Sequence, residues 1–268
     1  MEGTENPRFI LRELLAIIAL VLWSVQLLPQ VYKNHKSKST AGLSAWAFIL
    51  WALANVLVAS NSYVNQVVLP IFLQPQVFCI LSLVCLTQCF LYPDKEPSRS
   101  PWEGGLLLVA LVVLCASLGS LWTYFVLTSN WRNQLWFSLL VGSLGPAITS
   151  IGFVPQIHNI LLLKSTHGIS LLFICLDIGG GVAALISLAL HDKFELTVAL
   201  MYMAVLTMEL IIIVLHIYYS STHQPKSRSG FSPLPRDPHH IAIPSPIYPT
   251  ASGFSYPTVF PDNASRPT

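Results

Sequence analysis

Apolar residues gather into seven blocks along the chain, each separated by a short polar or proline-bearing break. The blocks run at about 12–32, 43–63, 66–91, 104–127, 135–163, 169–190 and 194–219. Each is long enough to cross a bilayer as a helix. Only Asn65 and its neighbours divide the second block from the third. The fifth is overlong and carries Gly142, Gly145, Pro146, Gly152 and Pro155. Kinking or tilt is expected to absorb its extra length. The pattern predicts an all-α membrane protein with seven transmembrane helices.

The breaks repeat. After the first block the chain reads SVQLLPQVYKNHKSKSTAGLS from Ser24 to Ser44, and after the fifth it reads SIGFVPQIHNILLLKSTHGIS from Ser150 to Ser170. A shift of 126 positions brings eight of these 21 residues into identity without a gap: Pro29 on Pro155, Gln30 on Gln156, Lys38 on Lys164, and both Ser-Thr-x-Gly starts. An internal duplication in a membrane protein points to a transporter fold. It divides the chain into a three-helix repeat over 12–92, a linker helix over 104–127 and a second three-helix repeat over 135–219. One odd linker leaves the two units pointing the same way through the bilayer, so the repeats are expected to be parallel.

Composition agrees with that division. The chain is 53% hydrophobic and 10% charged, far below the roughly one quarter charged in a soluble domain. A formal charge of +2 offers no footing for nucleic acid. Ten lysines and arginines follow the odd-numbered helices or lie in the tail, against four on the other side, Arg8, Arg12, Arg132 and Lys193. The bias sets the N-terminus in the lumen and the C-terminus in the cytosol. The start, MEGTENPRFILRE, is acidic and precedes a long apolar run, which argues against a cleaved signal peptide. The five cysteines all sit in apolar runs and lack the spacing of a metal site. Residues 220–268 hold ten of the nineteen prolines and read as a disordered cytosolic tail. Within it, Tyr256-Pro-Thr-Val259 has the form of a sorting signal for an adaptor. The sequon at Asn263 is expected to stay unmodified in the cytosol.

Several residues are costly in hydrocarbon and therefore informative. Proline inside a helix removes a backbone hydrogen bond. Pro29 and Pro155 would free the carbonyls of Val25 and Ile151, which need a polar partner in a bilayer. Paired prolines in equivalent helices mark two hinges, with Gln30 and Gln156 as bridging amides. At about 1.5 Å per residue, Asn55, Asp177 and Glu209 fall near the middle of a core roughly 30 Å thick. Polar and ionisable residues at that depth face a cavity, a partner or a proton path, so the three are candidates for binding substrate or, for the two acids, coupling protons. Gly179-Gly-Gly181 beside Asp177 permits close helix packing or local unwinding. No nucleophile elbow, phosphate loop or metal spacing appears. Neither enzyme activity nor a cofactor is expected.

The duplicated Pro-Gln motif, the Ser-Thr-x-Gly-Leu/Ile-Ser helix starts and the three-one-three layout resemble the PQ-loop repeat transporters. That group includes cystinosin, the vacuolar and lysosomal amino-acid exporters and, more distantly, the SWEET carriers. Gln74-Pro-Gln-Val77 and Leu86-Thr-Gln88 resemble fungal members. The resemblance covers about 12–219. It implies a small-molecule substrate bound between the repeats near mid-membrane, alternating access with the prolines as hinges, and a vacuolar or lysosomal membrane. Trp51-Ala-Leu-Ala-Asn55 has an amide where the cationic exporters resemble Trp-Leu-x-Gly-Asp, a departure that argues away from cationic substrates. The expected function is transport of a small polar metabolite, an amino acid by this resemblance, with protons as a coupling partner. Two other readings stay open: a SWEET-like facilitator of a neutral solute such as sugar, and a non-carrier seven-helix protein that handles lipid or acts as a receptor.

Overall fold

The punctuation of the sequence becomes the ends of helices. The computed structural model describes residues 7–93, 99–191 and 196–222. Eight helices run in order: α1 (Pro7–Val25), α2 (Leu28–Ser37), α3 (Ala45–Val64), α4 (Leu69–Leu91), α5 (Pro101–Thr128), α6 (Leu135–Leu163), α7 (Leu171–Ala189) and α8 (Leu196–Thr222). Pro29, Pro70 and Pro101 stand in the first turns of α2, α4 and α5, where a missing N–H is tolerated. Ser170 caps α7, its hydroxyl accepting from the Phe173 N–H. The helices before the two Ser-Thr breaks stop on left-handed lysines, Lys38 (φ 50°) and Lys164 (φ 49°), a duplicated stop at duplicated positions.

α1 and α2 together make one apolar span, Pro7–Ser37, and the described residues hold seven spans long and apolar enough to cross a membrane. The fold is all-α, two parallel three-helix repeats joined by α5. In each repeat the third helix lies between the other two: α4 touches α1 and α3, and α8 touches α6 and α7. The repeats meet through α3 on α6 and α1 on α7, while α5 packs on α3 and α4 of the first repeat.

Trp51 is the centre of the packing between repeats. Its ring meets Phe48, Phe78, Phe153 and Phe173 at centroid distances of 5.6, 6.3, 5.0 and 5.8 Å, all edge-on, an arrangement aromatic quadrupoles favour. The glycines of α7 serve packing: side chains at Gly180 and Gly181 would collide with Trp23 and Leu206, and α7 is helical throughout. The expected tail begins later than residue 220, since 220–222 still belong to α8; the remainder, with Tyr256 and Asn263, lies outside the described residues.

Candidate functional site

Proline 29 does more than bend its helix. α1 ends at Val25 and α2 begins at Leu28, so the first span is broken at Gln26 and Leu27. Pro155 sits inside an α6 that continues to Leu163. Equivalent positions thus have different outcomes in the two repeats.

The two glutamines perform the same task in reciprocal directions. The Gln156 side chain accepts from the Ser44 N–H at 2.8 Å and donates to the Gly42 carbonyl at 2.9 Å. The Gln30 side chain accepts from the Ser170 N–H at 2.6 Å and donates to the Gly168 carbonyl at 3.1 Å. Each repeat therefore holds the backbone of the other repeat's Gly-x-Ser segment. The segments themselves touch: a Cβ on Gly168 would meet the Ala41 carbonyl and, at 3.1 Å, the Gly42 Cα. Asn159 donates to the Leu43 carbonyl at 3.2 Å, and Lys33, 126 positions earlier, to that of Ile169 at 2.7 Å. Within the repeats, Thr40 donates to the Tyr92 carbonyl and Thr166 pairs with His216. Gln30 has further support. Its amide donates to Asn34, which donates to Gln88, which donates to the Val31 carbonyl. This end of the bundle is shut by hydrogen bonds.

The other half is hollow. A cavity of about 590 Å³ runs from mid-bundle to the opposite end, between α1, α3, α4, α6, α7 and α8, and reaches the exposed Glu13, Val68 and His191. Asn55 and Asp177 line it from α3 and α7. Asn55 also donates to the Trp51 carbonyl at 2.8 Å. The Asp177 carboxyl interacts with the Trp23 indole and with the Glu209 carboxyl of α8. Glu209 is fully buried behind the wall, and among the described residues neither of its carboxyl oxygens has a well-placed donor. The fold thus brings Asn55, Asp177 and Glu209 to one region. It holds Gln30 and Gln156 apart from them, at the closed end.

Reading by the repeat exposes a residue that sequence reasoning missed. Gln26 lines the cavity, is 4% exposed, and its side-chain carbonyl oxygen has no partner among the described residues. Its counterpart is Gly152, over which Trp51 packs. Trp51 is in turn the counterpart of Asp177. Trp51 donates to the carbonyl of Thr149, the counterpart of Trp23. One wall of the cavity floor is therefore tryptophan on glycine, and the other is amide and acid. The signal was an amide against a glycine in otherwise matching segments.

Known proteins resemble this chain in sequence and in fold. A family model for the PQ loop repeat matches residues 11–71 and 137–196. An uncharacterized protein of Schizosaccharomyces pombe is 26% identical over 222 residues, 83% of this chain and 77% of its own length. Cystinosin of Drosophila melanogaster is 28% identical over 193 residues, 65% of this chain and 47% of its own, so this chain spans about half that relative. A vacuolar histidine transporter of Saccharomyces cerevisiae is 28% identical over 79 residues, 30% of this chain and 26% of its own. Among solved structures, a eukaryotic SWEET transporter superposes with a TM-score of 0.55 at 15% identity, over 79% of this chain and 98% of that one. That likeness is one of fold.

Proposed function

Since the chain belongs to the PQ-loop repeat family, we propose that it is an alternating-access carrier of a small polar metabolite, an amino acid, in the vacuolar or lysosomal membrane. The N-terminus is lumenal in this reading and the C-terminus cytosolic. The observation that carries it is the one-sided cavity between the repeats, open at the end bearing Glu13 and His191 and shut at the other by the glutamine clamps. A carrier needs such a site, reached from one face at a time. Asn55 and Gln26 offer amides to the solute. Asp177, backed by Glu209, is the proton-coupling group: it takes a proton on the acidic lumenal side and yields it after the cavity turns to the cytosol. Pro29 and Pro155 are the hinges. The vacuolar or lysosomal setting rests on the resemblance to the family and on the name of the yeast histidine transporter.

The test is uptake by the purified protein in liposomes, using a panel of labelled amino acids and sugars with and without a pH gradient. Accumulation of an amino acid driven by the gradient is expected. Asp177→Asn should abolish accumulation and leave exchange at equal pH partly intact, because the amide keeps the size but cannot titrate. Glu209→Gln is the matched variant, since the two acids act as a pair. Full pH-driven uptake by both variants and by the double variant excludes coupling through these acids. Uptake indifferent to the gradient in the unmutated protein makes a SWEET-like facilitator the better reading. Failure to move any solute on the panel sinks the carrier reading.

A further inference from the structure

The closed end of α2 carries charge that the fold does not need. Lys33 donates to the carbonyls of His167 and Ile169 at the start of α7. Asn159, its counterpart in the second repeat, makes the equivalent bond to Leu43. A neutral amide therefore suffices for that one bond, and Lys33 adds to it a second bond, to His167, and a charge. Lys36 adds a second charge one turn on, where the other repeat has Leu162. Its ammonium lies 5.8 Å from the centre of the Tyr32 ring. Among the described residues neither lysine forms an ion pair; the ion pair found there, Arg12 with Glu13, is at the start of α1.

Both lysines line a groove between α2 and α7 that, among the described residues, is lined by no acid. Leu28, Pro29 and Leu172 form its membrane-ward end, and Leu28 and Leu172 are 49% and 58% exposed. Lys36 stands eight residues beyond Leu28, about 12 Å further along the helix. The groove is thus apolar first and cationic second along the membrane normal. A glycerophospholipid has the same order, acyl chain and then phosphate.

We propose that this groove binds an anionic phospholipid of the cytosolic leaflet. Its phosphate sits on Lys33 and Lys36, and its acyl chain on Leu28, Pro29 and Leu172. The Lys33 ammonium has three donors, and two already serve carbonyls, so the third is left for the phosphate. Basic pockets between spans on the cytosolic side attract anionic lipid for this reason. The assignment to the cytosolic leaflet rests on the orientation proposed above. The groove's walls belong to different repeats and include Ser170, which Gln30 holds. A lipid seated there therefore bridges the repeats beside the closure.

The test is direct binding to the full chain purified in neutral detergent, followed by native mass spectrometry and titration. The probe is dioctanoyl phosphatidylinositol 4-phosphate, compared with dioctanoyl phosphatidylcholine, inositol 1,4-bisphosphate and inorganic phosphate. Saturable binding of the phosphoinositide is expected, with each of the other three weaker by about tenfold or more. Lys33→Asn, which keeps the tie in the form the second repeat uses, combined with Lys36→Gln, should weaken binding by about tenfold or more at unchanged melting temperature. Lys36→Gln alone, at an exposed side chain, should give part of that loss. Equal binding by the variants, or phosphatidylcholine bound as tightly as the phosphoinositide, overturns the proposal. Free phosphate or inositol bisphosphate bound as tightly as the lipid overturns it too, in favour of a soluble-anion site. No step depends on transport, so this proposal and the carrier reading fail separately.

Discussion

Gly168 is the tightest point of the closure. A methyl group there would press on the Ala41 carbonyl and the Gly42 backbone, atoms that cannot rotate aside as a side chain end can. Gly168→Ala should therefore push the repeats apart at this end. Spin labels at Lys36 and Leu172, one on each repeat, should gain a longer distance component in the variant. An unchanged distance distribution would show that the segments yield without opening. Gln156→Ala should act in the same direction, because it strands the Gly42 carbonyl and the Ser44 N–H, at about 1–3 kcal/mol for each group left unsatisfied. The two glutamines were legible in the sequence because they recur at one offset. Their partners were not. Each clamp joins residues more than a hundred positions apart, and nothing local in Gly42 or Gly168 announces which side chain will hold it. Gln26 was hidden for a related reason: a lone amide in an apolar run gains meaning only once the cavity beside it is known.

Helix α6 and the α1–α2 pair show one sequence motif with two outcomes. Gly152, three residues before Pro155, lets the Trp51 ring lie against α6 from outside, and the helix runs on. Gln26, three residues before Pro29, admits no such brace, and the chain breaks there. The first repeat is therefore broken ahead of its proline, where the second stays helical through Pro155. Pro29→Leu should restore the helical hydrogen bond and straighten the chain there, lowering initial uptake by about tenfold, roughly 1.4 kcal/mol at the barrier, with folded protein little changed. Pro155→Leu should lower it less. Rates compared at equal amounts of protein in liposomes decide the matter, and equal losses would mean that both prolines bend alike during transport. The sequence placed two hinges and gave no reason to rank them. One visible difference is a tryptophan from another helix that packs at Gly152, and no local pattern contains it.

At the scale of the whole molecule the apolar blocks located the spans well, because a membrane core demands about twenty apolar residues and leaves little choice of element. The duplication fixed their grouping. Two things were beyond its reach. One is that α5 rests on the first repeat, since a linker's own sequence does not say which side it will lie against. The other is the cavity, which is a gap between helices and has no residue of its own. Orientation rests on the distribution of lysine and arginine and has a simple check. Cysteines at Lys36 and Gln66, both exposed, introduced into a background without the native cysteines, should react with an impermeant thiol reagent from opposite faces of sealed vesicles. Reaction of both from one face would rule out the seven-span parallel arrangement.

The reciprocal glutamine clamps also bear on water. They satisfy four backbone groups: the carbonyls of Gly42 and Gly168 and the N–H groups of Ser44 and Ser170. When that end opens, the four groups and the two freed amides must be hydrated, because a backbone group left dry costs more than a wet one. Opening is therefore a wetting step, and it draws its water from that face alone. The chemical potential of water on that side enters the equilibrium between the two forms of the protein alongside any ion or solute gradient. In the carrier proposed above, the balance between the two forms should therefore shift with the osmolarity of the solution at the closed end.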